Sequence, residues 1–341
     1  MSSPPGIIAA GNWIVDTTKI IDVYPTQDTL ANIGGQERNN GGGAFNVLAD
    51  LSRLGAPFPL RGLGLIGQDA EGDWILARCQ AFGIDPGGLS RHETAPTSYT
   101  DVMTVRTTGR RTFFHQRGAN RYFAPAHFPW EAMEGRLFYL GYLLLLDALD
   151  APDAEHGTVA AGVLREAGRR GFYRVVDLVS VEHPDYGAIV HPSLPEIDLL
   201  ICNELEASRV TGIPVRDLEQ ACLPHGLVSA AQALLERGVR DWVVIHLPEG
   251  AYARSARGEE AWQGRVRLPA SEIVGAAGAG DAFAAGLLLG VHEGRPIAEN
   301  LIAGVCTAAA SLRDATTSGG IAPLAECLAL GERYGYLGFP S

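Results

Sequence analysis

The chain has 341 residues, 46% of them hydrophobic, with five cysteines and a formal net charge of −12. That length can bury a sizeable core, as one large domain or one domain with an appendage. No apolar run reaches bilayer-crossing length, and the acidic balance argues against a nucleic-acid-binding surface. Cys79, Cys202, Cys222, Cys306 and Cys327 show no paired spacing, which favours reduced thiols in a cytoplasm over a disulfide framework or a zinc site. No cleavable signal follows Met1, and residues 2–6 read as a short polar lead-in.

In chain order, strand-like runs fall at 7–11, 58–66, 137–145, 173–179, 197–202 and 242–247. Helix-like runs at 44–54, 73–82, 156–169, 227–237, 281–292 and 297–313 lie between or after them. Alternation of this kind predicts parallel pairing, with helices on both faces of a sheet. Two segments break the pattern. Residues 12–36 show β-branched alternation (Trp13, Val15, Thr17, Ile20, Val23), and 97–116 read as a hairpin around Thr107-Thr108-Gly109-Arg110. No internal repeat, low-complexity tract or linker is evident.

Gly41-Gly42-Gly43 opens the first helix, and Phe45, Leu48, Leu51 and Leu54 follow at near-helical spacing up to Gly55. Glycines at 42 and 43 permit close approach, and the Asn46 amide supplies a donor and an acceptor for hydroxyl groups. The same residues also suit an ordinary loop-to-helix junction. Gly62-Leu63-Gly64-Leu65-Ile66-Gly67 matches the dinucleotide fingerprint, with Asp85 eighteen residues beyond it. That fingerprint should follow a strand and open a helix directly. Here the glycines lie inside the strand-like run, which argues against a nicotinamide site.

Gly278-Ala279-Gly280-Asp281 carries the most chemistry. Two glycines let a tight turn aim several N–H groups at one point, and the helix that follows adds unpaired N–H groups and its positive dipole end. The result is a socket for a negatively charged oxygen with a carboxylate at its rim. This suits a hydroxyl losing a proton while a phosphoryl group gathers charge. Alone, the stretch is equally a glycine turn whose Asp caps a packing helix. Lys19 is the only lysine and follows Thr18, so no P-loop exists. Any phosphate site must be built from backbone, arginine and metal.

The pair of signatures, Gly42-Gly43-x-x-Asn46 and Gly278-Ala279-Gly280-Asp281, resembles that of the ribokinase (PfkB) family of carbohydrate kinases in order, separation and chain length. The resemblance implies a single ribokinase-like α/β domain over 1–341. It would be a three-layer sandwich with a mostly parallel central sheet flanked by helices. It also implies a small β-lid, at about 12–40 and 96–118, that covers the sugar and mediates a homodimer. It implies ATP as donor and Mg2+ as cofactor, with Asp281 as base and the N–H groups of Ala279, Gly280 and Asp281 as anion hole. Asn12 and Asp16 would bind sugar hydroxyls with Gly42, Gly43 and Asn46. Asn203 and Glu206 would organise magnesium and phosphates, Glu206 through water, although an N-cap with its capping-box partner explains them equally. His246 and Gly250 stand in the glycine-rich nucleotide loop, and Cys306 falls where several relatives present a polar residue near adenine.

Two departures qualify the comparison. Gly275-Ala276 replaces the family's usual Asp-Thr, which argues against monovalent-cation activation. In the nucleotide loop only Gly250 keeps the pattern clearly. The substrate stays open between a free sugar, a sugar phosphate and a nucleoside. Arg106, Arg110, Arg111, Arg117 and Arg121 are either surface charges of the lid or a phosphate contact. A catalytically silent sugar-binding regulator is the alternative from another class.

Overall fold

Along the strand Leu137–Gly141, Leu137 and Tyr139 join one hydrophobic cluster while Phe138 and Leu140 join another. Side chains alternate across a strand, so a strand apolar at every position must be covered on both faces. The computed structural model, which describes residues 5–339, shows that arrangement in the inner strands of a nine-stranded sheet. Residues 2–4 of the polar lead-in lie outside the described part.

From one edge the strands run Glu260–Gly264, Gly250–Ser255, Trp242–Leu247, Leu199–Asn203, Tyr173–Asp177, Leu137–Gly141, Ile7–Gly11, Leu60–Gly67 and Asp85–His92. All neighbours from Trp242–Leu247 to Asp85–His92 pair in parallel. The hairpin 250–264 adds two antiparallel strands at one edge. Helices Gly43–Leu54, Ala279–Glu293 and Ile297–Ser311 pack on one face through Phe45, Leu48, Phe283 and Leu287. Helices Val159–Arg169 and Pro224–Glu236 cover the other through Leu164, Leu227 and Leu234. This is the expected three-layer sandwich. Among the described residues no helix is long and apolar enough to cross a membrane.

The two irregular segments form a separate four-stranded sheet in the order Ile33–Gly41, Ile14–Ile21, Ser98–Val105, Arg111–Gln116. Its register places Asn39, Asp16, Thr100 and His115 in one row across the strands. Residues directly opposite share a face, so these four polar side chains line one side of this small sheet.

The fingerprint glycines have a packing explanation. A Cβ at Gly62 would stand 2.5 Å from Trp13 Cη2, and one at Gly64 would stand 2.3 Å from Trp13 Cδ1. Buried Trp13 lies across the strand Leu60–Gly67 and donates from Nε1 to the Leu63 carbonyl at 3.0 Å. The following helix, Ala70–Ala81, is capped by Asp69 two residues beyond the last glycine.

Some boundaries differ from the expectations. The apolar run 137–145 ends as a strand at Gly141, because Tyr142 and Leu144 take positive φ values of 63° and 79°. Strand Asp85–His92 and the hairpin 250–264 were not anticipated.

Candidate active site

Gly278 has φ 72°, the left-handed conformation glycine adopts without penalty, and caps the helix Ala279–Glu293. The first intrahelical bond runs from Ala282 N–H to Gly278 O, at 2.8 Å. The N–H groups of Ala279, Gly280 and Asp281 precede it and point out of the helix end. These residues are half-buried up to Gly280, and Asp281 is buried.

The Asp281 carboxylate is held at both oxygens. Asn46 Nδ2 donates to Oδ2 at 2.8 Å, and the Tyr142 hydroxyl donates to Oδ1 at 2.6 Å. Burial pushes its pKa up to about 6, while the Tyr142 and Asn46 hydrogen bonds pull it down. Asn46 is fixed in turn, because its Oδ1 accepts from Asn40 Nδ2 at 2.7 Å, and the same amide reaches Ser318 Oγ at 3.0 Å. Asn46 thus spends one N–H on the carboxylate and one acceptor site on Asn40, and keeps one of each.

Asp16 reaches the site from strand Ile14–Ile21 of the small sheet. A Cβ at Gly41 would lie 2.4 Å from its Cγ, so a glycine is required beneath the carboxylate. Desolvation lifts its pKa to about 7, with the charge of Asp281 pushing the same way and the Thr100 hydroxyl holding it down. Asn12 is buried and donates from Nδ2 to the carbonyls of Gly141 and Tyr142, both at 3.3 Å. Its Oδ1 is buried without a partner, an acceptor left for a hydroxyl. Gly42 has φ 85°, and a Cβ there would meet Asn12 O at 2.4 Å. The glycine turn, Asn12, Asp16, Asn46 and Asp281 are thus brought together.

On the other side Asn203 and Glu206 form a capping box. Asn203 Oδ1 accepts from Leu205 and Glu206 N–H at 2.9 Å, and Glu206 Oε2 accepts from Asn203 N–H at 2.8 Å. Glu206 is buried and burial lifts its pKa to about 7. Buried Asp177, at the end of strand Tyr173–Asp177, is pushed upward by burial and by the charges of Asp281 and Glu206.

His246 lies against the anion turn, with Cε1 3.3 Å from where a Gly280 Cβ would stand, and burial lowers its pKa to about 4. The remaining nucleotide candidates are engaged in packing. A Cβ at Gly250 would stand 2.1 Å from Gln263 O, so the glycine serves hairpin pairing. Cys306 is buried with Sγ 3.4 Å from the Tyr336 hydroxyl. Of the lid arginines, Arg117 pairs with Asp147 and Arg121 lies 3.6 Å from the same carboxylate. Sequence reasoning missed Tyr142, hidden in an apolar run, and Asn40, whose partner Asn46 is six residues on.

The profile of the pfkB family carbohydrate kinases matches residues 10–323. Ribokinase of Arabidopsis thaliana is 27% identical over 298 residues, 85% of this chain and 72% of the relative. The ATP-dependent ribose-1-phosphate kinase of Halopiger xanaduensis is 27% identical over 285 residues, 83% of each chain. The structure of Arabidopsis thaliana ribokinase complexed with ribose and ATP superposes with a TM-score of 0.75 at 22% identity, covering 96% of this chain and 98% of that one. The match shows a phosphotransferase class on a ribokinase-like fold. This chain belongs to the pfkB family of carbohydrate kinases.

Proposed function

We propose that the protein transfers the terminal phosphoryl group of ATP to an alcohol group of a free sugar. The observation that carries this reading is the pairing of the buried, doubly held Asp281 carboxylate with the half-buried N–H turn beside it. Asp281 accepts the proton of the attacking hydroxyl. The N–H groups of Ala279, Gly280 and Asp281 stabilise charge on the transferring group, where removal from water strengthens them. Asn12 Oδ1 and the Asp16 carboxyl bind sugar hydroxyls above the glycine turn, and the lid excludes water.

Asn203, Glu206 and His246 serve the nucleotide side, with Gly250 and Cys306 shaping the elements behind it. The donor set suits magnesium. The charges of Asp281 and Glu206 push the Asp177 carboxyl upward, a field that a divalent cation beside Glu206 would relieve. Glu206 would hold the ion through water. Bound there, the ion would supply neutralising charge to the nucleotide phosphates that Asn203 and Glu206 face. The lid also supports a homodimer, because Phe113 and Phe114 on its edge strand are 58% and 51% exposed.

One observation favours a sugar phosphate as second reading. Arg111, on the lid strand Arg111–Gln116, is half-buried, and burial lowers its pKa. Its guanidinium rests 5.8 Å from the Phe113 ring centre. A panel of sugars, sugar phosphates and nucleosides with coupled ADP detection tests both readings. Turnover of a free sugar supports the first, and turnover confined to phosphorylated sugars supports the second. Sugar binding with no turnover of any member would make the protein a silent regulator.

A further inference from the structure

We propose that Tyr142 is a positioning residue of the transfer reaction, its hydroxyl holding Oδ1 of Asp281 so that the free lone pairs of the carboxylate face the acceptor alcohol. This inference rests on Asp281 being the base.

Three observations place Tyr142 there for a reason beyond packing. Its backbone lies at φ 63°, a conformation costly to a tyrosine, directly after the strand Leu137–Gly141. That conformation is held from two sides, by Tyr142 N–H donating to Asp177 O at 3.2 Å and by Asn12 Nδ2 donating to Tyr142 O at 3.3 Å. Its ring rests on Gly43, where a Cβ would meet Cδ1 and Cε1 at 3.0 Å. The turn that opens the first helix therefore clears the space in which the ring lies.

The hydrogen-bond inventory gives this contact its chemical meaning. An ionised carboxylate has about four lone-pair sites. Asn46 takes one on Oδ2 and Tyr142 takes one on Oδ1, which leaves a site on each oxygen for the substrate hydroxyl. Both partners donate, so both favour the ionised form of Asp281, which is the form able to receive a proton. The other titratable groups facing it are the carboxyls of Asp16, Asp50 and Asp177, the Tyr139 phenol and, beside Gly280, the His246 ring. They are common to the native protein and a Tyr142 variant, so a difference between the two reports the Tyr142 hydroxyl.

Tyr142→Phe keeps the ring on Gly43 and removes only that hydroxyl. Carbon-13 NMR titration of the aspartate carboxyls in the ligand-free full chain should show the Asp281 pKa rising by about one pH unit, a tenfold gain in proton affinity. The acid limb of kcat/KM should move up equally, with kcat falling about tenfold and sugar KM nearly unchanged. Gly43→Ala, which pushes against the ring, should move the limb in the same direction. An Asp281 titration and acid limb that stay in place in Tyr142→Phe would overturn the inference. Asp281→Asn separates the two claims. If it is inactive while Tyr142→Phe is unshifted, only the inference falls; if it is active, the base assignment and the inference fall together.

Discussion

Asn46 and Asp281 stand 235 positions apart in the chain and meet through one 2.8 Å hydrogen bond. Each sits in the first turn of its own helix, Gly43–Leu54 and Ala279–Glu293, on the same face of the sheet. The two glycine signatures therefore form one site, in which the early turn orients the carboxylate of the late one.

The rate should follow the ionisation of Asp281. Its pKa is raised from the ordinary carboxylate range to about 6, so the base is ionised above that pH and protonated below it. Log kcat/KM for the sugar should begin to fall below about pH 7 as Asp16 takes up a proton, and should steepen below about pH 6 as Asp281 does. A pH profile of kcat/KM with saturating nucleotide checks this; a limb near pH 4 would mean that burial does not act on the base.

Asp16 gives opposite signs for binding and stability. If it holds sugar hydroxyls, Asp16→Ala loses a charge-assisted hydrogen bond of about 1.5–3 kcal/mol, and sugar affinity drops about ten- to a hundredfold. Its folded pKa, about 7, exceeds the unfolded value near 3.8, so the folded state binds the extra proton between them. Stability therefore falls as pH rises through that window, and the penalty is complete above about pH 7. Asp16→Asn should melt later than the native protein at pH 8 and equally at pH 3.5. Calorimetric sugar binding and melting curves at both pH values decide the matter. A variant that melts early yet binds sugar normally makes Asp16 structural.

Gly64→Ala should destabilise the fold by about 1–3 kcal/mol through overpacking, since its Cβ would lie 2.3 Å from Trp13. NADH should show no binding by fluorescence to either protein. Saturable NADH binding lost in the variant would revive the nicotinamide reading.

Exchanging potassium for tetramethylammonium should change the rate little, because Gly275 brings no carboxylate. A Cβ at that position would already stand 2.9 Å from Asp314 O. Steady-state rates across a potassium titration test this, and a large saturable activation would contradict it.

The sequence made the large features legible because they rest on short-range pattern. Apolar runs such as Trp242–Leu247 and the glycine-to-helix junctions at 42 and 278 announce themselves locally. Tyr142 was hidden because its apolar neighbours Leu140, Leu143 and Leu144 continue a strand-like run, while the positive φ that aims it depends on Asn12 and Asp177, both far away in the sequence. Strand Asp85–His92 contains Pro86, Gly87 and Gly88, and pairing with Leu60–Gly67 makes it a strand. Gly62 and Gly64 matched a fingerprint for want of a local sign that Trp13 would lie on them. Asn203 and Glu206 formed the capping box that their spacing equally allowed.

The most direct test of the account is single-turnover phosphoryl transfer by Asp281→Asn with the preferred sugar. Asparagine keeps the size of the side chain and an acceptor oxygen but cannot take the proton. Transfer should slow by about 10²–10⁴-fold while sugar and nucleotide affinities stay near native. Transfer within a few-fold of the native rate would contradict the account and remove Asp281 as the base.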